Sequence, residues 1–171
     1  RASVLMGTGG EVAETTRAAV TVDGVGVVAP AGVANTEALR DVSRCGRDLL
    51  RQIPATRWDV EAAARDVFDS PPEVSSRVRH GGFVHRAELF EHGLFGISAA
   101  EASAMDPQQR QLLEQGYAAL HAAGLGKAYL LGTVIGVGVG QWASEFGSVL
   151  SQTPAGRSVY ASTGFSCSVT C

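Results

Sequence analysis

The sequence predicts an α/β fold in which helices cover both faces of a sheet. Two valine-rich apolar runs, at residues 19–29 and 130–140, have the length and bounding turn residues of buried strands. Helix-start signals lie between them, so strand and helix alternate along the chain. Two strands are too few for a finished sheet of this class, and the expectation is therefore an incomplete α/β unit.

Residues 1–19 are small, polar and aperiodic and read as a linker or frayed start, leaving residues 20–171 as the one folded domain. The first strand, AVTVDGVGVVA, ends at Pro30 and Gly32, which are turn residues. Asn35 then offers a helix cap, Glu37 sits in the first turn, Leu39 and Val42 share a face, and Gly46 closes the helix. From residue 49 to 82 the pattern is irregular, punctuated by Pro54, Pro71, Pro72, Gly81 and Gly82, and predicts a long loop with short helical turns. Ser98 and Glu101 have the spacing of a capping box. Asp106 followed by Pro107 marks a second helix start, because proline at the first helical position forfeits no hydrogen bond. Leu113, Tyr117 and Leu120 recur at helical spacing, and Gly124 ends that helix. In the second strand, LLGTVIGVGVG, valines and isoleucine alternate with glycines, so a neighbour should pack closely on the glycine side. Residues 142–150 suggest one more helix.

Composition narrows the function classes. With 45% apolar and 18% charged residues the 171-residue chain has material for a core. A net charge of −3, with arginines scattered among acids, leaves no electrostatic footprint for nucleic acid. The longest nearly apolar run, 128–140, is too short and too glycine-rich to span a bilayer, so no membrane partner is expected. No leader is visible, which places the protein in the cytoplasm, although a first residue of Arg1 rather than methionine suggests a fragment and leaves an organelle open. Cys45, Cys167 and Cys171 lack framework spacing and read as reduced thiols.

Chemistry-bearing motifs are sparse. Gly24 and Gly26 follow a strand like a dinucleotide fingerprint, but turn residues stand where a helix should receive the pyrophosphate. Gly136, Gly138 and Gly140 lack the lysine and hydroxyl of a P-loop. His80, His85, His92 and His121 have no zinc spacing with each other or with the cysteines. Around Ser166 a nucleophile elbow fails, because Ser168 stands where the tight turn demands glycine.

Six stretches, in order, carry a resemblance. They are VGVVAP at residues 25–30, IPATRWDV at 53–60, RHGGFV at 79–84, LFGIS at 94–98 with Glu101, MDPQQRQLLE at 105–114, and IGVGVG at 135–140. Together they resemble the amino-terminal region of β-ketoacyl synthases of the multidomain polyketide-synthase type, over nearly all of residues 20–171. The resemblance implies the first half of a thiolase-like layered fold working as a homodimer beside other synthase domains. It implies a decarboxylative Claisen condensation, in which a cysteine takes an acyl chain from an acyl carrier protein and two histidines assist the malonyl-type extender. The product is a polyketide or a fatty-acid chain. No cofactor or metal is called for.

The family's nucleophile lies in a "DTACSS"-like segment beyond a helix that begins here at Ser168. Cys167 and Cys171 therefore precede it and inherit no catalytic role. The family's histidines also lie later, so none of His80, His85, His92 or His121 inherits theirs. The expected catalytic, cofactor and metal residues in this chain are accordingly none, and the chain by itself is expected to be inactive. Val28-Ala29 in place of Arg-Phe and residues 116–121 in place of the "WEALED" pattern mark a diverged member. The alternatives are a non-catalytic structural or dimer-forming piece of the same family and, more remotely, a nucleotide-binding α/β domain.

Overall fold

The computed structural model describes residues 20–57, 59, 71–142, 145–164 and 166. The expected linker at 1–19, Trp58, Cys167, Ser168 and Cys171 lie outside these residues.

The helices begin and end where local chemistry directs. Helix α1, Thr36–Cys45, starts under Asn35, whose side-chain oxygen accepts the Ala38 N–H at 2.8 Å. Gly46 ends it in the left-handed conformation at φ 57°. Within the irregular stretch, strand β1 is Arg51–Gln52, helix α2 is Pro72–Arg77 and strand β2 is His80–Gly81. The two strands pair antiparallel, with Arg51 opposite Gly81 and Gln52 opposite His80. The Ile53 N–H donates to the Arg79 carbonyl at 2.9 Å, and Ile53 is buried. Helix α3, Ala99–Ala104, starts under Ser98, whose Oγ accepts the Glu101 N–H at 3.1 Å. The long helix α4, Pro107–Ala122, starts under Asp106 and stops before Gly124, at φ 73°. Three short helices follow: α5, Lys127–Leu130; α6, Phe146–Ser151; and α7, Ala161–Gly164.

The two expected strands are not formed as ladders. Among the described residues the only sheet is the β1–β2 pair. Residues 20–28 and 133–140 pair with no strand among the described residues, and a strand is defined by such a neighbour. Their valines are correspondingly exposed, Val20 at 91% and Val134 at 103%. Helix α5 also takes Leu130 out of the second run, which starts after the turn at Gly132. Helix α6 begins at Phe146, so Trp142 of the expected 142–150 helix lies outside it and is exposed.

The first run nevertheless packs closely on its glycine side, against α4. A Cβ at Gly24 would collide with the Ala119 carbonyl, and one at Gly26 with the Gln115 carbonyl. Residues two apart on an extended chain share a face, and residues four apart share a helix face, so the two glycines seat the run along one turn of α4. The second run behaves in the opposite way: among the described residues, a Cβ added at Gly136, Gly138 or Gly140 would meet nothing within 4 Å. The expected close neighbour is absent from their surroundings among the described residues.

The buried centre is small. Ala102 and Ala104 of α3 and Leu150 of α6 are buried where these helices meet α7 and the turn Pro154–Arg157. Two polar residues join them, Asp106 and Gln109.

Candidate functional site

Four of the six motif segments, at 25–30, 53–60, 79–84 and 105–114, are linked by contacts. The turn at Pro30–Gly32 closes with the Ala29 N–H on the Val33 carbonyl at 2.8 Å, and Gly82 approaches the Pro30 ring so closely that a Cβ would lie 2.9 Å from it. β1 and β2 join the segment at 53–57 to the one at 79–84. Arg57 donates to the Val84 carbonyl at 3.2 Å and pairs with Glu88 at 3.5 Å. Arg110 of α4 in turn donates to the Glu88 carbonyl at 3.1 Å. Burial pulls the Arg110 pKa below its ordinary value, while Asp106, Glu114 and Glu88 oppose that shift.

A buried polar cluster sits at the start of α4. Asp106 is 2% exposed and its Oδ1 accepts the Gln108 N–H at 2.7 Å. The Asp106 N–H donates to the Gly164 carbonyl at 2.6 Å. Gln109 is 6% exposed, and its Nε2 donates to the Ser166 carbonyl at 3.2 Å, with a longer contact to the Thr163 carbonyl at 3.5 Å. Gly164 lies so close to the Ala104 carbonyl that a side chain there would collide. The start of α4 and the residues before it thus grip the backbone at residues 163, 164 and 166. Beside this grip an apolar cavity of about 520 Å³ is lined by Leu112, Leu113, Val137, Val139 and Tyr160.

Gln109 was not foreseen from the sequence. It sits three residues after the cap and four before Leu113, on the face where leucine would be expected, and its spacing to Asp106 was the available signal. The residues that the spacing did mark, Leu113, Tyr117 and Leu120, are 37%, 48% and 37% exposed and lie outside the buried centre.

The histidines occupy four separate structural positions. His80 Nδ1 is 2.9 Å from the Ser76 carbonyl and His92 Nδ1 is 2.6 Å from the Ile97 carbonyl. His85 packs at the glycine turn, where a Cβ on Gly32 would lie 3.3 Å from its ring. His121 stacks on Tyr117, which meets Phe95 edge-on, which stacks on Phe90. Among the described residues no three His, Cys, Asp or Glu side chains converge as metal ligands would. Cys45 is exposed on α1. Gly24 and Gly26 are covered by α4, so the backbone that a pyrophosphate would have to reach is occupied by a helix. No helix among the described residues is long and apolar enough to cross a membrane.

Comparison with known families decides the assignment: residues 17–171 match the model of the β-ketoacyl synthase N-terminal domain. The chain belongs to the β-ketoacyl synthase family. It is 43% identical over 138 residues to the polyketide synthase GfsB of Streptomyces halstedii, covering 79% of this chain and 2% of that protein. It is 38% identical over 153 residues to the phenolphthiocerol synthesis polyketide synthase type I Pks15/1 of Mycobacterium bovis, covering 88% of this chain and 7% of that protein. The β-ketoacyl synthase chain thus spans a small part of relatives that are large multidomain synthases. Among solved structures it is similar to the ketosynthase from module 6 of the bacillaene synthase of Bacillus subtilis 168, with TM-score 0.52 and 29% identity, covering 63% of this chain and 17% of that one. The oxazolomycin ketosynthase domain OzmH KS7 of Streptomyces albus gives TM-score 0.54 and 28% identity, covering 64% of this chain and 19% of that one. These neighbours are thiolase-like, so the expected fold class holds, and this chain is a helix-rich portion of it. Ketosynthases form a condensing-enzyme family.

Proposed function

We propose that this chain is the front portion of a chain-extending ketosynthase, an acyltransferase that performs decarboxylative Claisen condensation within a polyketide synthase. The observation supporting this reading is the family match over residues 17–171, reinforced by the contacts that link four of its motif segments, at 25–30, 53–60, 79–84 and 105–114.

In the proposed reaction a cysteine thiolate attacks the carbonyl carbon of a carrier-bound acyl thioester, and the carrier thiol leaves. Loss of carbon dioxide from a malonyl-type extender gives a carbanion, which attacks the acyl-enzyme and releases the cysteine thiolate. Neither step is assigned to a residue of this chain. Cys45, Cys167 and Cys171 are not the nucleophile, and His80, His85, His92 and His121 are not the assisting histidines, four of whose ring environments are taken up by local packing or backbone contacts. The role of these 171 residues is to build and hold the layer from which the nucleophile segment is presented. The proposed setting is a cytoplasmic homodimer served by an acyl carrier protein and by neighbouring synthase domains.

The test is acyl transfer followed by intact-mass and peptide mass spectrometry. The 171-residue chain should take up no acyl group from an acyl-thioester donor, while a ketosynthase that continues through a "DTACSS"-like segment should be acylated there. Stable acylation of Cys167 or Cys171 would overturn the assignment. Absence of acylation in the longer protein as well would favour a non-catalytic structural or dimer-forming role.

A further inference from the structure

We infer that Gln109 is a positioning residue of the ketosynthase, fixing the backbone at residues 163, 164 and 166 ahead of the nucleophile segment; this rests on the condensing function proposed above. Three residues, Ala104, Asp106 and Gln109, converge on that short backbone with four contacts. Gln109 Nε2 bridges the Ser166 and Thr163 carbonyls, at 3.2 Å and 3.5 Å. The Asp106 N–H holds the Gly164 carbonyl at 2.6 Å, and the Ala104 carbonyl sits against the Gly164 α-carbon.

These contacts differ in kind from ordinary packing. The Asp106 bond comes from the backbone at a helix start, where amides have no partner inside the helix. Gln109 spans 54 and 57 residues of sequence with one terminal amide, and it does so from a buried position where water does not compete. A leucine of similar size would fill the space but remove the Gln109 donor from both carbonyls. A buried amide at this position is therefore chosen for where it puts the backbone rather than for apolar area. Gln109, Tyr160, Thr163 and Gly164 also line the same apolar cavity, so a shift of the backbone at residues 163, 164 and 166 changes that wall as well.

The experiment uses the complete ketosynthase-bearing protein and the substitutions Gln109→Leu and Gln109→Met, which keep volume and remove the donor. The readouts are the rate of nucleophile acylation by an acyl-thioester, resolved into KM and kcat, and thermal unfolding of the same preparations. The expected result is a drop in kcat of about 10- to 100-fold, the scale of a misplacement of about 1 Å, with KM nearly unchanged. A lowered melting temperature with an unchanged acylation rate would reduce Gln109 to a structural role and overturn the inference. If neither variant folds, hydrogen exchange on the unaltered protein decides: amides of residues 163, 164 and 166 should exchange more slowly than those of residues 151–153 and 157–159. Exchange at the rate of free chain there would refute the grip. A wild-type protein that fails to acylate would instead refute the condensing function, and the exchange experiment would still read the grip independently.

Discussion

Replacing Gly26 by alanine places a methyl group in the carbonyl of Gln115, a backbone atom of α4 that no rotamer change can move aside. The strand-like run must then lift from the helix. Overpacking of this kind costs about 1–3 kcal/mol. The glycine has no positive φ, so alanine is conformationally allowed and regains about 0.4–1 kcal/mol through the unfolded chain. The net loss is roughly 1–2 kcal/mol, a factor of about 5–30 in the local opening equilibrium. Amide hydrogen exchange along α4 reads this directly, since it reports local opening without requiring a cooperative melt of the whole chain. Protection of residues 113–119 should fall by that factor. The control is Gly116→Ala, in the middle of the same helix with nothing within 4 Å of the added Cβ. It should raise protection, because glycine inside a helix costs about 0.5–1 kcal/mol relative to alanine. Unchanged or increased protection in the Gly26 variant would refute the claim that the glycine seats the run on α4.

The remaining predictions concern caps, charge and exposed surface. Asp106→Ala should open the start of α4 by about 2 kcal/mol, because it removes a cap from a half-buried N–H, whereas Asp106→Asn should recover most of that, read by hydrogen exchange along the first turn of α4. Asn35→Ala, on the surface helix α1, should cost about 1 kcal/mol or less and show as faster exchange confined to residues 36–40. Glu88→Gln should leave stability within about 0.5 kcal/mol, since the Arg57–Glu88 pair is 35% and 65% exposed and such pairs contribute little. The isolated 171-residue chain should bind a hydrophobic dye and unfold over a broad range, given the exposure of Val20, Val134, Val137 and Trp142. A sharp, dye-silent melt would count against it.

What the sequence determined by itself is the set of structures whose energy is local. Asn35, Ser98 and Asp106 bond to amides two or three residues away, and Gly46 and Gly124 end helices through their own backbone freedom. Such interactions are complete within one helical turn, so the residues alone name them. The order of the motif segments was legible for a different reason: each is a run of residues that resembles its family counterpart, and the family match covers them. Tertiary structure decided the rest. That a valine-rich run lies along α4 rather than in a ladder depends on which neighbour reaches it, and strand pairing has no local energy to announce its partner. Gln109 was invisible for the same reason, because its partners lie 54 and 57 residues away and only the fold brings those carbonyls within reach of one side-chain amide.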